Sequence, residues 1–222
     1  MDLSIRATEP ELLDEGVPEE ELLESLADLR RVNRWLGTHR RLREAARPFL
    51  VSSARPRLLD VGCGSADIPD RIVRSFAGPL VAVGVDLKVL HLRAAPPSVR
   101  RVVADVCALP FPSGAFDVVL ASHFLHHFDA GQAAAVLRRL YDVARRALIV
   151  DDIRRARVPY VFARSVFPFL LRSRVSVADG ALSIRRAFTA AELAAVFAEA
   201  GIPVRIRRIF PYRLLAVAPK AA

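Results

Sequence analysis

Apolar positions in this chain follow two alternating periods, and that alternation predicts its layout. Short apolar runs read as buried strands at Leu58 to Val61, Pro79 to Asp86, Arg100 to Asp105, Asp117 to Ser122 and Ala147 to Asp152. Between them lie helical patterns, clearest from Gln132 to Val143, where Ala133, Val136, Leu137, Leu140 and Val143 share one face. Strand-helix-strand alternation of this kind means parallel β-α-β units with right-handed crossings, hence a doubly wound α/β sheet. At the end, Pro203 to Phe210 and Arg213 to Ala218 are separated only by Pro211-Tyr212. A connection that short forces an antiparallel pair. Seven strands, mostly parallel, are expected.

The flanks follow other patterns. Residues 1–17 are acidic and aperiodic, and read as a loosely held arm. From Pro18 to about Ala46, Leu22, Leu26, Leu29, Val32, Leu36 and Leu42 recur at helical spacing, with a break at Gly37. Trp35 either caps the core or covers a ligand pocket. After strand five, Tyr160, Phe162, Phe167 and Phe169 crowd a short apolar segment interrupted by Arg164 and Pro168. It reads as a lid over a hydrophobic ligand, as an ordinary packing helix, or, with Arg154, Arg155 and Arg157 beside it, as a membrane-surface contact. Asp179-Gly180 suggests a turn, and Thr189-x-x-Glu192 a capping box for a helix ended by Gly201. The expected organisation is an arm and helical lead-in over 1–50, a ligand-binding domain over 51–222, and a lid over 151–187.

The candidate chemistry centres on Arg57-Leu58-Leu59-Asp60-Val61-Gly62-Cys63-Gly64-Ser65-Ala66-Asp67-Ile68-Pro69. A buried strand runs into a glycine loop and then a helix, with Asp67 as expected N-cap and Pro69 in the first turn. Gly62 and Gly64 let the backbone turn sharply and approach a ligand. A dinucleotide-type loop would set a pyrophosphate where Asp67 stands, and a Walker loop needs a lysine that this stretch lacks. With Asp60 and Asp67 around the loop, a cationic or zwitterionic ligand suits the site better.

Asp60-x-Gly62-x-Gly64 resembles the first motif of class I S-adenosylmethionine-dependent methyltransferases, with Ala66 in place of that pattern's third glycine. Asp86 follows Gly64 by 22 residues, close to the spacing of about 20 at which a strand-tip carboxylate meets ribose hydroxyls. The resemblance implies S-adenosyl-L-methionine as cofactor. Asp105 would accept from the adenine amino group, Val106 would contact the ring, and Leu87 and Ser122 would complete the cofactor site. "LPF…FDVV" is also shared, with Asp117 structural. His123, Phe124, Leu125, His126 and His127 follow strand four, where such sheets place ligands. His123 or His126 is the expected proton acceptor from substrate. No zinc-type spacing surrounds these histidines, so no metal is expected.

Composition narrows the partners. The net charge is +9, from 33 basic and 24 acidic residues, and only Lys88 and Lys220 are lysines. The Asn/Asp-Pro-Pro-Tyr/Phe motif of amino-directed nucleic-acid methyltransferases is absent, Ser122-His123-Phe124-Leu125 standing in its place. A small hydrophobic acceptor, phenolic, quinol or polyketide-like, is therefore expected over nucleic acid; a protein that binds the cofactor without turnover is the other alternative. Cys63 and Cys107 read as buried core positions outside any disulfide framework. With no leader pattern and no long apolar run, a soluble cytoplasmic protein is expected. Nothing in the sequence sets an oligomeric state.

Overall fold

A computed structural model describes residues 3–220. Three helices lead in: α1 (Leu12–Glu15), α2 (Glu19–Trp35) and α3 (Thr38–Leu50), the last two separated by Gly37 in left-handed backbone. The alternating part runs β1 (Arg57–Val61), α4 (Asp67–Ser75), β2 (Val81–Asp86), α5 (Val89–Arg93), β3 (Val99–Val103), β4 (Phe116–Ser122), α6 (Ala130–Val143) and β5 (Ala144–Ile153). Then come α7 (Arg157–Leu170), α8 (Arg174–Arg186), α9 (Ala190–Glu199), β6 (Arg205–Ile209) and β7 (Arg213–Pro219).

The seven strands lie in the order 3-2-1-4-5-7-6, with β7 antiparallel to both β5 and β6 and every other pairing parallel. Helices cover both faces, so neighbouring residues of one strand are buried on opposite sides. Leu59 packs toward α6 and α9, and Leu58 toward α3 and α4. Strand order reverses between β1 and β4, which opens a crevice at their carboxyl ends. Asp117, as expected, is structural: it accepts from the Arg57 N–H and pairs with Arg145 and Arg146 at the opposite end of β4.

Four local expectations are corrected. Of the arm, Met1 and Asp2 lie outside the described residues, but the rest is docked rather than loose. Arg155 donates to the carbonyls of Leu3 and Ser4, Arg6 donates to that of Arg186, and Glu11 is buried. The sequence's acidic character hid this, because much of the strap's hold runs through backbone carbonyls: Arg155 and Arg186 donate to those of Leu3, Ser4 and Glu9, and Arg6 to those of Arg186, His126 and Phe128. Asp67 is the first helical residue, not the N-cap. Ala66 takes the cap position in left-handed backbone, and the Asp67 carboxylate reaches across to His39 (2.7 Å) and Asn33 (3.3 Å) on the lead-in. Asp179-Gly180 lies inside α8, where Asp179 accepts the N–H groups of Leu12 and Leu13, and where a Cβ on Gly180 would stand 2.7 Å from the Phe167 ring. The glycine marks a close helix approach, not a turn. Cys63 is buried as expected, but Cys107 is exposed; both are free thiols.

Candidate active site

The carboxyl ends of β1, β2 and β4 open into a cavity of about 870 Å³. That is at the upper end of the roughly 300–1,000 Å³ of ligand pockets. Gly62, Gly64, Asp86, Leu87, Asp105 and Val106 line it. Asp60 and Ser122 stand behind this wall, each buried with a side-chain oxygen that has no hydrogen-bond partner. Burial first, then Asp67 and Asp86, push the Asp60 carboxyl well above the usual range. The acids that line the cavity at this end are Asp86 and Asp105, not Asp60 and Asp67. Gly62 has φ +64°, and a Cβ there would collide with the Phe124 ring, so a side chain as well as the turn demands this glycine.

Asp86 is pre-positioned. Its carboxylate accepts the Gly64 N–H (2.9 Å) and the Lys88 N–H (2.9 Å) and faces His91 Nδ1 at 3.0 Å. Burial disfavours its charge, but His91 and these amides outweigh that and hold it below the usual carboxylate range. With about four lone-pair sites per carboxylate, it has room for a hydroxyl donor. Asp105 uses one oxygen to cap the short turn Val106–Ala108 through the Cys107 N–H, and its other oxygen remains available at the rim.

The histidine side of the cavity is built differently. His123 has φ +51°, a conformation that costs a bulky residue energy and clusters at functional sites. Its Nδ1 lies 3.1 Å from Arg213 Nη1. A guanidinium has no lone pair to offer, so Nδ1 accepts and the ring proton sits on Nε2. Burial, then Arg213, drive the His123 pKa far below its usual value. The ring is neutral, and its Nε2–H is buried without a partner in a residue that lines the cavity. Arg213 and Arg41 are both anchored on the buried Asp151, at 3.0 and 2.8 Å.

His126 stands between two carboxylates, with Nδ1 2.8 Å from Asp152 and Nε2 3.4 Å from Glu11. Burial opposes its charge, but Asp152 and then Glu11 outweigh it and raise its pKa to about 10. At both expected proton acceptors the geometry favours donation: Arg213 occupies His123 Nδ1, and carboxylates face both ring nitrogens of His126. Next to it, His127 Nδ1 pairs with Asp14 at 2.9 Å.

Helices α7 and α8 border this side. Val158, Phe162, Phe167 and Leu170 of α7 and Ile184 of α8 line the cavity, joined by Trp35 and Tyr212. Sequence reasoning did not single out Glu11, Arg213 or the functional use of Asp151 and Asp152. The last two carried the same signal as Asp86 and Asp105, an acid at the carboxyl end of a buried strand. Glu11 and Arg213 gave no local signal, since their partners lie 115 and 90 positions away.

Residues 58–147 match the family described as "Methyltransferase domain". Among characterised proteins, the 2-phytyl-1,4-naphtoquinone methyltransferase of Nostoc punctiforme is 29% identical over 132 residues, 54% of this chain and 57% of that protein. The 27-O-demethylrifamycin SV methyltransferase of Amycolatopsis mediterranei is 33% identical over 112 residues, 44% of this chain and 40% of that protein. The chain thus spans about half the length of these relatives. Magnesium protoporphyrin IX methyltransferase from Synechocystis, solved with bound SAH, superposes with a TM-score of 0.58 at 15% identity, over 83% of this chain and 84% of that one.

Proposed function

We infer that this chain is a class I S-adenosylmethionine-dependent methyltransferase, as its match to a methyltransferase domain over residues 58–147 supports, and that it methylates a small hydrophobic acceptor bearing an aromatic hydroxyl, at that oxygen or at an activated ring carbon. The observation that carries the reading is His123: a buried, unpartnered Nε2–H in the same cavity as Asp86 and Asp105, beneath apolar helices. The residues fit the cofactor. Asp86 suits a ribose hydroxyl, Asp105 an amino group and Val106 an apolar ring, and the two acids favour a ligand with positive charge. S-adenosylmethionine supplies a methyl group already activated by a sulfonium. The chain's own residues then have to align the acceptor, exclude water and set its protonation.

A free phenol titrates near ~10, so it reacts best as its anion. His123 supports that anion by donating to its oxygen, and Arg213 keeps the ring in the donating tautomer. The His126 cation adds positive charge on the same side. The acceptor's proton is lost to solvent as the phenol ionises on entry, so neither ring has to receive it. The relatives' printed substrates, a naphthoquinone and a rifamycin, fit this class of acceptor. Phe162 and Leu170 are half exposed at the mouth, and Phe169 and Phe210 are largely exposed; with Arg157 and Arg164 on α7 they support uptake of the acceptor from a membrane surface. No described helix is long and apolar enough to cross a membrane. Two free thiols suit a reducing, cytoplasmic setting.

The test is calorimetry with S-adenosylmethionine and NAD, then labelled methyl transfer to a panel of phenols and quinols. Binding of the first ligand only, turnover of at least one panel member, and a roughly 100-fold loss of kcat/KM in His123→Leu with cofactor affinity retained would support the reading. Absence of S-adenosylmethionine binding would overturn it.

A further inference from the structure

We propose that Glu11, His126 and His127 form a binding site for a divalent transition-metal ion, Zn²⁺ by its donor set, with an open coordination position toward the acceptor end of the cavity. The three side chains bring their ligand atoms within 4.8 Å of one another, and all three line the cavity. Each imidazole turns Nε2 toward the same carboxylate: His126 lies 3.4 Å from Glu11 Oε1 and His127 4.0 Å from Oε2. Those separations are long for charge-assisted hydrogen bonds, which run at about 2.7–2.9 Å. The first matches the edge of a tetrahedron, since metal bonds of about 2.1 Å place neighbouring ligands roughly 3.4 Å apart, and the second, to the other carboxylate oxygen, would close by a few tenths of an ångström around an ion.

The outer partners fit the same reading. The Nδ1 of His126 rests on Asp152 at 2.8 Å and that of His127 on Asp14 at 2.9 Å. A carboxylate behind each imidazole orients the ring and strengthens it as a ligand, as in metal sites generally. Ser183 donates to Glu11 Oε1 at 2.7 Å and holds the carboxylate in place. Two imidazoles and one carboxylate are a donor set used by catalytic zinc, which leaves a fourth position open. Here that position would take an acceptor oxygen. On binding, the ion takes the place of the His126 Nε2 proton, which is released to solvent.

The experiment uses the full chain, stripped with a chelator and dialysed. Zn²⁺ content is measured after equilibrium dialysis, and Co²⁺ is titrated while visible absorption reports a low-symmetry nitrogen–oxygen centre. Expected are one equivalent of either ion per chain, proton release on binding, and an affinity loss of at least about tenfold in His127→Ala and in Asp14→Asn. His127 is partly exposed, so its truncation leaves the core intact, and circular dichroism checks that both variants fold. Failure to bind an equivalent, or binding that both folded variants retain within tenfold, would overturn the site. Cofactor affinity of the stripped chain is read separately, so this failure is distinct from failure of the methyl-transfer reading.

Discussion

The two ends of the cavity are made from different kinds of sequence. At the cofactor end, Gly62, Gly64, Asp86 and Asp105 come from three successive strand tips, their bonds are mostly to backbone amides, and each acid keeps acceptor capacity for a ligand. At the histidine end, His123, His126, Arg213, Asp151, Asp152 and Glu11 come from the strap, the β4–α6 connection, β5 and β7 and are largely satisfied by one another. One end is a local device waiting for a partner; the other is a long-range network of charges that fixes ring tautomers. Losses at the first should therefore appear as binding, and losses at the second as stability, except at the unpartnered Nε2 of His123, whose loss appears in turnover.

The sharpest test of that contrast is Asp151→Ala. It leaves the guanidinium of Arg213, 1% exposed, without its counter-charge, and breaking a buried pair in this way costs about 3–5 kcal/mol. Chemical denaturation should show that loss, and a fall below about 1 kcal/mol would mean the network is not holding the fold. At the other end, Asp86→Ala should weaken S-adenosylmethionine binding by about 10-fold or more, as for loss of a charged hydrogen bond, with a smaller effect on unfolding. Calorimetry beside denaturation separates the two, and an unchanged dissociation constant would sink the assignment of Asp86.

The gentlest test uses pH on the metal-free chain. His126 has a folded pKa raised to about 10, against an unfolded value near ~6.5. A raised pKa means that the folded state holds its proton more tightly, so this stabilisation is fully present below about pH 6.5 and is lost as pH rises toward 10. Melting temperatures from pH 6 to 10 should decline, and His126→Gln should flatten that decline. Parallel curves for the two proteins would break the picture of a clamped imidazolium.

The same contrast explains what could be read from the sequence. The sheet was legible because Val118 through Ala121 and Ala147 through Val150 are continuous apolar runs, and a following helix was legible because the capping box at Thr189 and Glu192 forms as its spacing implies. Asp86 and Asp105 were legible because strand ends can be counted. Histidine roles were not, since a ring's tautomer is decided by what faces it, and Arg213 and Glu11 are brought there only by the finished fold. The docked strap was invisible for a related reason: the carbonyls of Leu3 and Ser4 carry no side-chain signature. Gly180 misled because a turn and a close helix contact ask for the same residue.

That strap also bears on the order in which the molecule comes together. Its helix, α1, has four residues, far fewer than a helix needs to persist alone in water. Leu12 and Leu13 rely on Asp179, and Glu11 on Ser183, more than 160 positions later in the chain. Contacts of such long sequence separation carry the entropy of closing nearly the whole chain into a loop. The strap is thus among the last segments to find its seat, and the acceptor chamber becomes complete only once α8 is in place to receive it.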